Sequence, residues 1–178
     1  MTVAELKGYQ SALQAEWVEA QGLFGQLRAT KAPEELAIMR RAQEVTDAAF
    51  AEMLTVLRPG MSEKEVMAEL IYRLLKHGGE KLSFDPIVVS GPNSSMPHGV
   101  PGERKLQNGD FVTMDFGVKV GGYCSDMTRT VALGHATDEM KHVYETVLAA
   151  QLAGIAATRA GVPGCEIDGA ARRVIADA

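Results

Sequence analysis

The 178-residue sequence predicts an α+β domain in which helices cover an antiparallel sheet. Three observations carry that expectation. A run with the two-residue period of a strand flanks Gly121-Gly122, stretches with helical periodicity are broken twice by Pro-Gly, and 46% hydrophobic content suffices for one buried core.

From the N-terminus, residues Ala4 to Ala20 read as helical, with Leu6, Leu13 and Trp17 as packing residues. Pro33 suits the first turn of a second helix, and Glu34 and Glu35 lie at the positive end of its dipole. Leu36, Met39, Ala42, Ala49, Phe50, Met53 and Leu57 give that helix an apolar stripe up to Pro59-Gly60. Ser62 and Glu65 form a capping box for the next helix, striped by Val66, Leu70, Ile71 and Leu74 and closed by Gly78-Gly79. His77 then serves as a partner for the C-terminal end of that dipole. Leu82 to Ser90 reads as a strand, followed by a long Gly/Pro/Asn/Ser-rich loop from Gly91 to Gly109 that carries His98. Loops of that length inside a domain are often functional.

Phe111 to Val120 alternates Val112, Met114, Phe116, Val118 and Val120 with Phe111, Thr113, Asp115, Gly117 and Lys119. Gly121-Gly122 supplies a tight hairpin turn, so Val120 should pair with Tyr123, Asp115 with Thr128 and Gly117 with Asp126. Asp115 and Asp126 would then share the face opposite the apolar one, as diagonal neighbours with backbones roughly 7 to 8 Å apart. Gly117 would leave open space beside Asp126. Two carboxylates so close repel unless a cation or a proton lies between them, and a hard divalent ion suits an all-oxygen pair. Beyond the hairpin, Thr137 caps a helix through Ala160, with Met140, Val143, Tyr144, Val147, Leu148 and Ile155 directed inward. A last helix begins near Glu166, striped by Ile167, Ala171, Val174 and Ile175.

The net charge of -5 offers no electrostatic footprint for nucleic acid or an anionic membrane. Arg40-Arg41 and Arg172-Arg173 read as solvated helix faces, and His135 and His142 as surface residues. No apolar run approaches membrane-spanning length. Two cysteines, Cys124 and Cys165, make no disulfide framework, and the start lacks a secretory signal pattern, so a cytoplasmic protein with reduced thiols is expected. Asp115-Phe116-Gly117 spells the magnesium-binding triplet of protein kinases, but no kinase catalytic loop or nucleotide-binding glycine loop accompanies it.

Several stretches taken together carry a family resemblance: SFDPIVVSGPNSSMPHG over 83–99, Gly109-Asp110, MDFG over 114–117 and GYCSDMTRT over 122–130. The sequence resembles the pita-bread (creatinase/aminopeptidase-like) metallopeptidases, in the branch of Xaa-Pro aminopeptidases and Xaa-Pro dipeptidases, from about Arg28 to its last residue. The resemblance implies hydrolysis of the bond between an N-terminal residue and proline through a metal-bridging hydroxide. It implies two divalent ions, manganese foremost, with cobalt or zinc also open. Asp115 and Asp126 would be the first two of five metal ligands, and His98 would position substrate and stabilise the transition state. The partner would be a peptide with proline in second position. A relative that has lost catalysis and merely binds peptide or protein is the competing reading; a metal-free creatinase-like hydrolase is disfavoured because it has no use for both aspartates.

The family takes its other three ligands, a histidine and two glutamates, from sequence downstream of Ala178. Residues 1–29 are accordingly expected to be a helical linker, the exit of an absent N-terminal domain, and 30–178 a truncated pita-bread catalytic domain, mainly its first half. A weak internal repeat agrees: RPGMSEKEVMAELI over 58–71 matches VPGCEIDGAARRVI over 162–175. Equal halves would leave about 59 residues of strand beyond Ala178. Such a chain should be inactive alone and should expose apolar sheet surface, which favours a homodimer.

Overall fold

A computed structural model describes residues 1–178, apart from the side chain of Gln21. The chain divides into two units, Met1–Ala37 and Ile38–Ala178. The first contains α1 (Val3–Ala12), opened by a capping box between Thr2 and Glu5, and α2 (Gln21–Ala29). The expected helix over Ala4 to Ala20 is therefore cut short at Ala12. No residue of α1 is buried, and a short helix without a packed face has only its intrinsic propensity to extend it. Leu13 and Trp17 are exposed rather than packed.

Helix α3 (Pro33–Leu54) begins in the first unit and continues into the second, where Ala42, Val45, Thr46, Ala49 and Met53 are buried. Leu36, expected in its stripe, is exposed. Helix α4 (Glu63–Lys76) starts at the predicted capping box: the Glu65 amide donates to Ser62 Oγ at 3.1 Å and the Ser62 amide to Glu65 Oε2 at 2.6 Å. The Ser62 amide, then Lys105, pulls the Glu65 carboxyl down to about 2. His77 does more than face a dipole, since its Nε2 lies 2.9 Å from Glu52 Oε2 and ties the end of α4 to α3.

Two three-stranded antiparallel sheets follow. One has the order β1 (Lys81–Leu82), β4 (Val118–Val120), β5 (Tyr123–Cys124); the other runs β2 (Ile87–Ser90), β3 (Phe111–Phe116), β6 (Met127–Ala132). The strand expected over Leu82 to Ser90 is thus divided between the sheets, with Pro86, which has no amide hydrogen to offer a ladder, in the gap. The strand expected over Phe111 to Val120 is likewise divided, at Gly117. Val88, Val112, Met114, Phe116 and Val118 meet Val66, Leu70 and Leu74 of α4 and Val45, Ala49 and Met53 of α3 in one core. Phe50 stacks on Phe116 with ring centroids 6.1 Å apart. A 3₁₀ turn, Gly91–Ser95, opens the loop after β2.

Helix α5 (Asp138–Ala157) is capped by Thr137 and pairs with α6 (Gly164–Ala176), where Gly154 allows close approach to Ala171. The inward set expected for α5 is a correction: Val143, Tyr144, Val147, Leu148 and Ile155 are all exposed, Val147 by 55%, and Ala150 is the buried residue of this helix. Ile175 of α6 is exposed as well. Periodicity marks which face is apolar, but not that these residues include its cover. Exposed apolar surface was expected on the sheet; among the described residues the large exposed hydrophobics lie on helices and loops, and none belongs to a strand. Among the described residues, no helix is long and apolar enough to cross a membrane.

Replacing Ser62 by Ala removes the acceptor for the Glu65 amide and should lower unfolding free energy by about 1 kcal/mol, read from the urea midpoint at unchanged slope.

Candidate metal centre

The hairpin has the register read from its turn. Val120 pairs with Tyr123, Lys119 with Cys124, Asp115 with Thr128 and Phe111 with Ala132. Asp115 is half-buried on the face opposite Met114 and Phe116, and Thr128 Oγ1 donates to its Oδ1 at 2.9 Å. Along the return strand Ser125 and Met127 are buried while Asp126 and Thr128 are exposed. Ser125 and Asp126 fall between β5 and β6, and the alternation of burial carries through them, so Asp126 is outward as Thr128 is.

Gly117 is not the open space expected beside Asp126. A Cβ there would lie 2.0 Å from the Ser125 carbonyl oxygen and 3.2 Å from Asp126 Cα. The return strand leans into the vacancy left by the missing side chain. Ser125 holds it there: its hydroxyl accepts from the Val118 amide at 3.0 Å and lies 2.5 Å from Thr46 Oγ1 on α3, while Ser83 Oγ donates to its carbonyl at 2.8 Å. Asp126 therefore extends from backbone fastened on both sides. The roles of Ser125 and Thr46 were missed in the sequence, whereas Thr128 was placed opposite Asp115 there without its hydrogen bond.

The donor set fits a hard cation. Among the described residues no donor reaches Asp126 or the second oxygen of Asp115, so three carboxylate oxygens are left for an ion. The described residues contain no group of three or more His, Cys, Asp or Glu disposed to hold a metal, so the pair alone leaves most of the coordination sphere to water.

His98 is exposed on the loop between β2 and β3 and hydrogen-bonds to neither aspartate. The loop itself is anchored near them. Thr113 Oγ1, on the Asp115 side of β3, donates to the Ser94 carbonyl at 3.3 Å, and Gly99 packs so tightly that a Cβ would lie 2.5 Å from Val89 Cγ1. At the loop's end Arg104 grips Asp110 with two bonds, 2.6 and 3.0 Å, and the Gln107 amide adds a third at 2.8 Å. Burial pushes the Asp110 carboxyl up, but Arg104 and the Gln107 amide outweigh it and hold the group below its ordinary value.

Antiparallel sheets covered by helices in this order define the pita-bread fold. The chain belongs to metallopeptidase family M24, whose pattern it matches over residues 37–178. It is similar to an Xaa-Pro dipeptidase of Bacillus anthracis, with 42% identity and a TM-score of 0.95 over 99% of this chain and 50% of that one. An X-Pro aminopeptidase of Thermotoga maritima superposes with the same TM-score of 0.95 at 34% identity, over 99% of this chain and 50% of that chain. In sequence, the uncharacterized peptidase YqhT of Bacillus subtilis is 41% identical over 99% of this chain and 50% of its own length. The Xaa-Pro dipeptidase of Pyrococcus furiosus is 34% identical over 90% and 46%. The chain spans about half the length of the relatives it matches.

Gly117→Ala forces a methyl into the Ser125 carbonyl and should cost about 1–3 kcal/mol, with the largest amide shifts at Ser125 and Asp126 in an NMR spectrum. Because the Asp110 carboxyl is depressed on folding, its contribution is complete above the ordinary aspartate value of 3.8 and is lost as pH falls through the lower folded value. Hydrogen exchange over 91–109, followed downward from pH 4, should accelerate before that of the β3–β6 pairing.

Proposed function

We propose that this chain is the first half of the catalytic domain of a dinuclear metallo-aminopeptidase or dipeptidase that hydrolyses the bond between an N-terminal residue and proline, with 1–29 as a linker and 30–178 as the catalytic part. The observation that carries the reading is the shared outward face of Asp115 and Asp126, with three oxygens free, in a member of a metallopeptidase family. The names of its relatives, Xaa-Pro dipeptidase and X-Pro aminopeptidase, supply the substrate class.

In this reading Asp115 and Asp126 hold divalent ions, and Thr128 fixes the Asp115 rotamer by occupying one of its oxygens. Bound metal would supply Lewis-acid polarisation of the scissile carbonyl and activation of water. His98, carried on a loop pinned at Ser94 and Gly99, donates a hydrogen bond to the carbonyl oxygen as it gains negative charge. Manganese is our assignment, since both protein donors are hard carboxylates; cobalt and zinc are the competitors. The remaining ligands and the general base belong to sequence outside these 178 residues. Two exposed free thiols, Cys124 and Cys165, suit a reducing cytoplasm. The exposed apolar residues of α5 are the surface for a homodimer.

Titration with Mn²⁺, followed by water-proton relaxation, should show one saturable site of about millimolar affinity in the chain alone. Asp115→Asn or Asp126→Asn should abolish that binding without altering the circular dichroism. Xaa-Pro dipeptides should not be cleaved by the isolated chain, whereas the full-length protein should release the N-terminal residue only with metal. Saturable binding that survives both substitutions would remove the ligand assignment and favour a non-catalytic peptide-binding role.

A further inference from the structure

Glu63 is the first residue of α4, yet it is only 1% exposed. An acidic residue there gains from the helix dipole without being buried, so its burial calls for another cause. Its partners supply one. Oε1 accepts from the Ser90 amide and the Ser90 hydroxyl, both at 2.8 Å, and Oε2 accepts from the Gly102 amide at 3.0 Å. None of these donors lies on α4. Ser90 is the last residue of β2 and Gly102 lies beyond His98, so one carboxylate ties together the two ends of the loop that carries the histidine.

The backbone reinforces the closure: the Glu63 amide donates to the Arg104 carbonyl at 3.1 Å and the Lys64 amide to the Gly102 carbonyl at 3.2 Å. Arg104 in turn donates to Ser90 Oγ at 2.6 Å, so a chain of hydrogen bonds runs from the Asp110–Arg104 pair through a buried hydroxyl to Glu63. Gly91 completes the fit, because a Cβ there would lie 2.4 Å from Arg104 Nη2.

We propose that Glu63 is a positioning residue for His98, its carboxylate closing the 91–101 segment at both ends and so fixing the backbone that carries the imidazole. This rests on the role given to His98 above. A glutamine cannot replace the carboxylate: an amide has one acceptor oxygen, so turning it to the two Ser90 donors presents its NH₂ to the Gly102 N–H. The Gly102 end is then released.

The test compares Glu63→Gln with Val66→Ala, a core truncation on the same helix, in the full 178-residue chain. Loss of one such hydrogen bond should raise amide exchange over 97–103 by about tenfold relative to the β3–β6 amides. Val66→Ala should raise exchange in proportion to its loss of global stability, without preference for the loop. The His98 Cε1–H cross-peak should move or split in Glu63→Gln and keep its place in Val66→Ala. Should Glu63→Gln not fold, Glu63→Asp carries the same comparison, since a carboxylate one methylene shorter cannot reach the Ser90 and Gly102 donors together. Equal loop protection in the two variants at matched stability, with the His98 signal unmoved, would overturn the proposal. Both readouts are made without metal or substrate, so a failed metal assignment registers in the Asp115→Asn titration and not here.

Discussion

The structure depends on one pairing register, held from the turn at Gly121-Gly122 to the far ends of β3 and β6. Val120 faces Tyr123 and Phe111 faces Ala132, so no residue is gained or lost across the break at Gly117. Because side chains alternate, a slip of one residue would send Met114 and Phe116 outward and Asp115 into the core. The core therefore enforces the site. Burying Val112, Met114, Phe116 and Met127 on one face is what presents Asp115, Thr128 and Asp126 on the other.

The break at Gly117 does not weaken that logic. The Ser125 carbonyl fills the place of the missing side chain, and the Ser125 hydroxyl replaces a ladder partner by accepting from the Val118 amide. The amide, carbonyl and hydroxyl of Ser125 all find partners at the break, Thr46 reaching in from α3 to complete the set. Buried polar groups that satisfy one another hold geometry more firmly than apolar contact, because an unpaired member is costly.

Much of this was legible in the sequence, for physical reasons that differ by element. The hairpin was readable because its turn residues, its alternation and its register are local properties of one short stretch. The capping box at Ser62 and Glu65 was readable for the same reason. Contacts between distant segments were not: Thr46 with Ser125, Glu63 with Gly102 and Arg104 with Ser90 join residues whose types carry no mark of their partners. Gly117 shows the difference within one residue. Its smallness was visible, but whether a neighbour fills the space depends on a backbone bend that alternation does not encode. Helix α5 makes the converse point: the stripe read as inward is largely exposed, and Ala150 is the residue that is buried.

The hairpin and the His98 loop also differ in what the chain must do to form them. A two-residue turn brings Asp115 and Thr128 together with little loss of chain freedom, in a step on the order of microseconds for hairpins of this kind. Closing the loop on Glu63 instead joins Ser90 and Gly102 to a residue 27 and 39 positions earlier, and waits on α4 being docked. During folding Asp115 and Thr128 can therefore take their places before the loop that carries His98 is closed. Assembly would then be ordered in time, the hairpin standing first and the loop fastening onto a sheet whose register is already set.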